Sequence, residues 1–317
     1  MRVLVLGGTN LTGPFFVRRL HGMGHEVTVF HRGRRCAPLP EGVRRILGDL
    51  ADPPEELRRA APDVVVHMWA MTEADGAAFL ELFRGAAGRA VVISSCDVYR
   101  AFGRLQRLER AGETSGPLTE DAPLRESRYP YRNKQGLGID TEHYDKILVE
   151  QALLAQHALP VTILRYPAVW GPNDPYHRFR GWLQRMETES EIRVAEDFAA
   201  WRWTHGYARD VGEAVTLAVA QDKSAGRIYN VGEAAAPAMI ERLTRFGRAA
   251  GWNGRFIPVP AAELPEDRRM PHDFAHHVAT DTSRIRAELG YKEIVPMEDA
   301  LAATIEWERA TSAATPE

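Results

Sequence analysis

Cysteine is scarce in this chain: among 317 residues there are only two, Cys36 and Cys96. Two thiols are too few for a disulfide framework or a zinc site, which indicates a reduced compartment. No apolar run approaches the roughly 20 residues of a membrane helix, and the first residues read as a core strand, not as a cleavable signal. We therefore expect a cytoplasmic protein.

The chain also lacks an excess of charge of either sign. Its formal net charge is −3, with 44% hydrophobic and 26% charged residues, which is ordinary for a globular protein. This balance gives no general attraction to nucleic acid or to an anionic membrane surface. Basic residues cluster locally at 32–35 and 178–185, and the aromatic residues are scattered, unlike a base-stacking platform.

The most informative segment is the start of the chain. Val3, Leu4, Val5 and Leu6 have no polar face, as in a central parallel strand, and a turn rich in glycine follows them: Gly7, Gly8 and Gly13. Strand, glycine turn and helix N-terminus together favour a pyrophosphate-binding fingerprint. Asn10 replaces its middle glycine. Because Asn tolerates left-handed backbone, we expect the turn to survive with the Asn10 side chain near the phosphates.

Strand and helix patterns alternate along the first half of the chain. Strands are predicted at Glu26–Phe30, Val43–Leu47, Val64–His67, Ala90–Ser94 and Val161–Arg165, and helices at Gly13–Gly22, Glu55–Ala61, Ala74–Arg84 and Thr141–His157. Such alternation predicts an α/β fold with a doubly wound parallel sheet of the Rossmann type. A polar stretch, Tyr99–Asp140, is long enough to be functional or disordered. Later patterns predict a helix at Asp210–Ala220, a strand at Arg227–Val231, a closing helix at Pro296–Ala310 and frayed residues from Thr311.

The turn after the second strand bears on the choice of dinucleotide. It contains His31, Arg32, Arg34 and Arg35 and no acidic residue that would hold the ribose hydroxyls of NAD. The arginines favour a 2′-phosphate, and hence NADP, although a solvated basic turn stays open. Asp49, after the third strand, is placed either to accept from the adenine amino group or to serve as a simple turn residue.

The fifth strand ends in Ser94, Ser95 and Cys96. Ligands of parallel sheets bind beyond the carboxyl ends of the strands, so the Ser95 hydroxyl is a candidate to hold a reacting carbonyl or alcohol. We expect Cys96 to be a buried, inert thiol, because no histidine is placed by sequence to activate it.

Several motifs, taken in order, resemble one known family. They are the N-terminal glycine turn, Gly48-Asp49, Ser94-Ser95-x-x-Val98-Tyr99, Lys146-x-x-x-Glu150, Arg165-Tyr166-Pro167-x-x-Trp170-Gly171-Pro172, Trp203-Thr204-His205, Arg209-Asp210-Val211, Ile228-Tyr229-Asn230-Val231-Gly232, Asp281-Thr282-Ser283 and Leu289-Gly290-Tyr291. Together they look like the extended short-chain dehydrogenase/reductases of the NAD-dependent epimerase/dehydratase superfamily. The resemblance covers nearly the whole chain.

The resemblance implies a Rossmann domain, residues 1–170 with 205–232 returning to it, and a smaller C-terminal α/β substrate domain, residues 171–204 and 233–317. It implies that Lys146 binds the nicotinamide ribose and lowers the pKa of a catalytic tyrosine, while Ser95 orients the substrate. The candidate cofactor-binding residues are Gly7, Thr9, Asn10, Leu11, Thr12, Gly13, His31, Arg32, Asp49, Leu50, Trp69, Ala70, Ser94, Lys146, Tyr166 and Pro167.

The catalytic tyrosine itself is missing from its expected position. The family places it four residues before the lysine, and none of the nine tyrosines has Lys at that spacing. Glu142 stands there instead, where a helix would pair it with Lys146. Tyr144, two residues before the lysine, would point about 200° around a helix and could not simply take over. His143, and Tyr129 and Tyr131 in the long polar stretch, are the other candidates, and the sequence does not rank them.

The substrate side offers polar and basic candidates: Asn173, His177, Arg178 and Arg202, with Arg202 at the position where relatives that take nucleotide sugars meet the diphosphate. Trp201 and Trp203 are candidate core residues. A metal site is not expected, because His272, His276 and His277 have no acidic or cysteine partner at suitable spacing.

Three functions follow from these observations. The leading one is an NAD(P)-dependent epimerase, dehydratase or reductase acting on a nucleotide sugar or a related carbonyl or alcohol. The alternative is a dinucleotide-binding sensor or scaffold that has lost the chemistry along with the tyrosine. RNA binding is less favoured; it is associated with a branch of the family that has a similar turn. A homodimer through the helices at Ala74–Arg84 and Thr141–His157 is possible in such a family.

Overall fold

The computed structural model describes residues 1–34, 37–110, 112 and 116–313, so Arg35 and Cys36 lie outside the described residues. Its strands are β1 (Arg2–Leu6), β2 (Glu26–His31), β3 (Arg44–Leu47), β4 (Val64–His67), β5 (Arg89–Ser95), β6 (Val161–Tyr166), β7 (Ala168–Trp170), β8 (Glu191–Ala195), β9 (His205–Tyr207), β10 (Ile228–Asn230) and β11 (Arg255–Val259). Its helices are α1 (Gly13–Gly22), α2 (Glu55–Arg58), α3 (Glu73–Phe83), α4 (Arg100–Leu105), α5 (Lys146–Leu154), α6 (Arg180–Thr188), α7 (Glu196–Ala200), α8 (Ala208–Ala220), α9 (Met239–Ala249), α10 (Ser283–Leu289) and α11 (Met297–Ala313).

Seven of these strands form one sheet in the order β10-β6-β5-β4-β1-β2-β3, and all its pairings are parallel. The central strands are buried on both sides, as their unbroken valine and leucine runs predict. Helices α1, α8 and α10 cover one face, and α3 and α5 cover the other. The predicted doubly wound parallel sheet is confirmed.

The second half of the chain builds a smaller layer beside the carboxyl edge of this sheet. β7 pairs with β9, and β8 pairs with β11, each in parallel. An aromatic core joins these strands to α6, α7 and α9, and Phe179, Phe198 and Phe246 are buried in it. β10 then returns the chain to the edge of the main sheet beside β6. The carboxyl ends of the main strands therefore face a second wall of protein, and the space between the two is where a ligand would lie.

Two predicted helices differ from the structure. The closing helix continues to Ala313, past Thr311, where fraying was predicted. The helix expected at Thr141–His157 begins at Lys146 and ends at Leu154. Asp145 starts it, because the Asp145 carboxylate accepts the Ile147 N–H at 3.0 Å in the N-cap position. Residues 141–145 are thus a turn and an isolated bridge, and the helical spacing arguments do not apply to them.

The N-terminal turn also departs from expectation in one detail. Gly7 and Gly8 have φ of +97° and +77°, and it is Leu11, at φ +47°, and not Asn10 that takes the left-handed conformation. A left-handed leucine costs roughly 1–2 kcal/mol, and packing of the Leu11 side chain against the α1/α8 core offsets this cost.

Substitution Gly13→Ala is expected to destabilise the fold, because the new Cβ would lie 2.4 Å from the Gly8 carbonyl group. Overpacking of this kind lowers the free energy of unfolding by about 1–3 kcal/mol, which urea unfolding measures. Gly22→Ala is the matched control, since it lies in the same helix and its Cβ would meet nothing within 4 Å. A Gly13→Ala protein as stable as Gly22→Ala would contradict the tight closure of this turn.

Candidate active site

β5 ends at Ser95, at the carboxyl edge of the sheet, and the next two side chains there are Cys96 and Asp97. After Ser95 the chain enters a short 3-10 turn, Cys96–Val98, which Ser95 caps by accepting the Asp97 N–H at 3.1 Å. Ser95 is half-buried, whereas Asp97 is only 2% exposed. The cap uses the Ser95 oxygen as an acceptor, so the hydroxyl proton is not spent in this turn, and Asp97 is turned inward.

The Asp97 carboxyl group accepts hydrogen bonds from two tyrosine hydroxyls. Tyr144 donates to its Oδ2 atom at 2.7 Å and Tyr131 donates to the same atom at 3.1 Å, and the two rings meet edge to face with their centroids 5.0 Å apart. Within the part of the chain that the structure describes, the buried Oδ1 atom has no hydrogen-bond partner. Burial raises the pKa of Asp97, against the opposing effects of Arg125, the two phenols and Lys146.

Tyr144 reaches this position because it lies before the helix and not on it. Its backbone forms a bridge with Thr72, so the rotation of about 200° expected between Tyr144 and Lys146 on a helix does not arise. Burial, Asp97 and Tyr131 raise the pKa of Tyr144, while a hydrogen bond with Ser95 lowers it. The structure therefore corrects the expectation that Tyr144 points away: its hydroxyl lies between Ser95 and Asp97.

Lys146 is the first residue of α5 and is 3% exposed. Its Nζ donates to the carbonyl oxygens of Ala70 and Ile93 at 2.6 and 3.0 Å, and lies 5.9 Å from the centroid of the Tyr144 ring. Burial lowers its pKa to about 8, although nearby Asp97 raises it. Two of its three N–H groups are used, which leaves one for a ligand.

Ser94 takes a structural position. It is buried, and its hydroxyl donates to Glu150 at 2.5 Å. Glu150 in turn forms a buried ion pair with Arg165, at 2.7 Å. This network ties β5, α5 and β6 together beneath the site, so we do not retain Ser94 among the candidate cofactor contacts.

Two other candidates near Lys146 lie at the surface. Glu142 is exposed and lies 3.5 Å from Arg132, and it accepts the Asn133 N–H at 3.3 Å. His143 is exposed beside Asp140. The expected ion pair between Glu142 and Lys146 is therefore wrong, because the two residues do not share a helix. Tyr129 is half-buried, and its ring lies under the Arg132 guanidinium.

The nucleotide end of the cleft shows one unsatisfied donor. The Gly33 N–H donates to His31 Nδ1 at 3.1 Å, which places the proton of neutral His31 on Nε2. His31 is 7% exposed, and its Nε2 has no partner among the described residues. Arg32 and Arg34 beside it are exposed, as are Asp49, whose carboxylate accepts the Ala51 N–H, and Trp69.

The remaining cofactor candidates are arranged around the glycine turn. Thr9, Asn10 and Leu50 are half-buried, and Thr12 and Ala70 are buried. Burial raises the pKa of Tyr166, and a hydrogen bond with Thr12 lowers it in part. Pro167 packs under two glycines: a Cβ at Gly206 or Gly232 would come within 3.1 and 3.3 Å of its ring.

On the substrate side, Trp203 donates to Cys96 Sγ at 3.4 Å and packs on His205. Burial raises the pKa of Cys96 to about 12, and a nearby Arg178 guanidinium lowers it. Cys96 is therefore a buried thiol and not a nucleophile. Arg178 pairs with the buried Asp174 at 2.7 Å, which holds its guanidinium at this wall.

Several substrate-side candidates are engaged elsewhere. Arg202 is exposed and donates to the Ala236 carbonyl, His177 pairs with Glu308, and Trp201 is buried and donates to the His276 carbonyl. His277 accepts the Arg202 N–H, His272 packs on Phe274, and Asn173 takes a left-handed turn. No group of three metal-ligating side chains occurs in the described ranges.

Sequence reasoning missed Asp97, Arg125 and Asp145. Arg125, inside the long polar stretch, donates to the Asp97 carbonyl at 2.5 Å and to the Asp145 carboxylate at 3.1 Å, and both side chains of this ion pair are fully buried. Asp145 followed by an apolar run is an N-cap signal that could have placed the start of the helix. Nothing local in the sequence marks Arg125 as buried.

The chain matches a family model and several known proteins. The model described as "NAD dependent epimerase/dehydratase family" matches residues 3–232. The chain is 29% identical over 280 residues to 2'-dehydrokanamycin reductase of Streptomyces kanamyceticus, covering 84% of this chain and 72% of that protein. It is 27% identical over 337 aligned positions to dTDP-glucose 4,6-dehydratase of Streptomyces niveus, covering 98% and 93%.

The fold also matches solved structures. UDP-glucose-4-epimerase from Stenotrophomonas maltophila, with bound NAD and formylated UDP-arabinopyranose, is similar with a TM-score of 0.73 and 20% identity, covering 99% of this chain and 100% of that one. At this identity the likeness bears on the fold alone. Among the described residues, no helix has the length and apolar character needed to cross a membrane.

Substitution Arg125→Met should lower the free energy of unfolding by about 3–5 kcal/mol, because it leaves the buried Asp145 carboxylate without its cation. Arg59→Met is the control: it removes an exposed helical ion pair with Glu55 and should cost at most about 0.5 kcal/mol. Urea unfolding of both variants measures the difference. Equal losses would show that the buried pair does not hold the start of α5.

Proposed function

The chain belongs to the NAD-dependent epimerase/dehydratase family, and we propose that it is an NAD(P)-dependent oxidoreductase in which Tyr144 replaces the missing tyrosine. The substrate carbon would be a carbonyl or alcohol carbon of a nucleotide sugar or a related compound. The observation that carries this proposal is the meeting of Ser95, Tyr144 and Lys146 at the carboxyl edge of the sheet.

The residues around the glycine turn fit a dinucleotide. A Cβ at Gly13 would lie 2.4 Å from the Gly8 carbonyl group, so the glycine turn packs directly against the start of α1. This close packing suits a pyrophosphate at the N-terminus of the helix. β2 ends at His31, whose buried Nε2–H has no partner among the described residues. In this proposal it faces the adenosine ribose. The remaining N–H of Lys146 suits the second ribose. When bound, the nicotinamide ring supplies or accepts the hydride.

In this proposal the side chains of the chain handle the oxygen and the proton. Ser95 holds the substrate oxygen through its hydroxyl proton, which would turn from Tyr144 to the substrate, and Tyr144 moves a proton to or from that oxygen. The Lys146 ammonium, near the Tyr144 ring, favours the phenolate that forms when the proton leaves. The missing tyrosine was the reason to consider a non-catalytic sensor, and a phenol that reaches the site from outside the helix supports catalysis instead.

The substrate class is supported by chemistry on the opposite wall. Arg178, fixed by Asp174, offers a guanidinium beside Trp203 and His205, a suitable surface for a sugar ring or a phosphate. Two relatives act on sugar compounds by their names, a dehydrokanamycin reductase and a dTDP-glucose dehydratase. We keep residues 1–170 and 205–232 as the proposed cofactor domain, and 171–204 and 233–317 as the proposed substrate domain.

Tyr144→Phe should lower turnover by at least about 100-fold, because the phenyl ring cannot exchange a proton with the substrate oxygen. Turnover is measured as NAD(P)H absorbance with dTDP-glucose, UDP-glucose and keto sugars, and dinucleotide affinity, measured by calorimetry, should stay unchanged. Tyr129→Phe, which removes the hydroxyl of a ring that packs against Arg132, is the matched control and should keep full turnover. A fully active Tyr144→Phe enzyme would refute the proposed role of this tyrosine.

Arg32→Ala should weaken NADP binding about tenfold and leave NAD binding unchanged, because only NADP carries the 2′-phosphate that an arginine would meet at the end of β2. Calorimetric titration of both dinucleotides with the wild-type and variant proteins gives the comparison. Arg59→Ala, at an exposed position directly after α2, controls for loss of surface charge. Equal weakening for the two dinucleotides would remove the argument for NADP.

A further inference from the structure

We propose that Asp97 is the positioning residue that stores and returns the proton of Tyr144, so that Asp97 and Tyr144 form a proton relay beside Ser95. This inference rests on the proposed catalytic role of Tyr144. It assigns a function to a buried carboxyl group that neither the spacing of the family motif nor the substrate-binding wall requires.

The first argument is the way in which the carboxyl group is bound. Both phenols donate to Oδ2, at 2.7 and 3.1 Å, while Oδ1 is buried and has no partner among the described residues. An ionised carboxylate oxygen without water or a donor is costly to bury. The arrangement therefore favours a carboxyl group that carries a proton, and burial raises the pKa of Asp97 in the same sense.

The second argument is that the neighbouring cations are engaged elsewhere. The Arg125 guanidinium donates to the Asp97 backbone carbonyl and to Asp145, not to the Asp97 carboxyl group. The Lys146 ammonium donates to two backbone carbonyls. A carboxyl group whose bonded donors are phenols, while these cations lie close by, can both hold a proton and release it. A direct ion pair would fix it as a carboxylate.

The relay balances in atoms and electrons. In reduction, the substrate carbon takes a hydride from the reduced nicotinamide dinucleotide, and the C=O π pair becomes the bond between oxygen and the Tyr144 proton. The proton of Asp97 lies on Oδ1 while both phenols donate to Oδ2. Rotation of the carboxyl group about its Cβ–Cγ bond brings this proton to Tyr144, which takes it and leaves a carboxylate that still accepts from Tyr131. Oxidation of an alcohol runs the same steps in reverse, with the oxidised dinucleotide as the hydride acceptor.

The relay predicts a particular dependence of turnover on pH. Because reduction needs a protonated Asp97, the kcat for reduction should fall as the pH rises through the pKa of Asp97. The titratable and charged groups that face Asp97 are Arg125, Lys146, Tyr131, Tyr144, Cys96 and Tyr176. All of them remain in an Asp97→Asn protein, so a step that disappears with this substitution belongs to Asp97.

The test compares wild type, Asp97→Asn and Tyr131→Phe, using NADPH and the substrate that shows turnover in the preceding experiment. Asp97→Asn should lower kcat about 100-fold, leave KM and dinucleotide affinity unchanged, and lose the pH step. Tyr131→Phe removes a donor that favours the carboxylate, so it should move the step to higher pH. This milder variant keeps the inference testable should Asp97→Asn fail to fold. Tyr129→Phe is the control for both.

The outcomes separate the relay from the proposed function. If Tyr144→Phe is inactive while Asp97→Asn keeps its turnover and its pH step, the relay is overturned and the catalytic tyrosine stands. An unmoved pH step in Tyr131→Phe also overturns the relay. If Tyr144→Phe itself keeps full turnover, the proposed function fails and the relay fails with it.

Discussion

The buried ion pair between Arg125 and Asp145 is the constraint on which the candidate site depends. Neither side chain is exposed, so both charges have lost their water, and only a full set of hydrogen bonds makes this tolerable. The set is present: Arg125 also donates to the carbonyls of Asp97 and Ser127, and Asp145 also accepts from the N–H groups of Tyr129 and Ile147. One pair thus joins the exit of β5, the long polar segment and the start of α5. The pair fixes one arrangement of the three segments. This is its main effect, because replacing both of its residues with apolar ones could give an equally stable protein.

The start of α5 decides which side chains can face the cofactor. If the helix began five residues earlier, Glu142 would lie one turn before Lys146 and Tyr144 would be on the far side. Because Asp145 is the N-cap, Tyr144 lies in extended backbone, where side-chain direction follows the bridge with Thr72 and not a helical period. A catalytic spacing defined along a helix therefore does not transfer to a chain whose helix starts later.

How much the sequence could predict follows from how local each signal is. The bounds of Gly13–Gly22 and Val64–His67 are those predicted, because a glycine turn and an unbroken run of valines need no distant partner to be interpreted. The start of α5 depends on Arg125, twenty residues away, and on the burial of a charge that composition places at the surface. The left-handed backbone at Leu11 was missed for a similar reason. Packing against the core holds this leucine in a conformation that local preference would assign to Asn10. Sequence could name Ser95 and Lys146, but not the contacts that place Tyr144 between Ser95 and Asp97.

Two buried acids a few residues from the site show why burial alone does not make a proton carrier. Glu150 and Asp97 are equally hidden, at 2% exposure each. Glu150 accepts from two nitrogen atoms of the Arg165 guanidinium and from the Ser94 hydroxyl, so it is held in a bidentate ion pair. Asp97 is bound by two neutral phenols on one oxygen. A proton on Glu150 would break an ion pair, whereas a proton on Asp97 breaks none. The difference in partners therefore makes Glu150 part of the framework and leaves Asp97 able to change its charge.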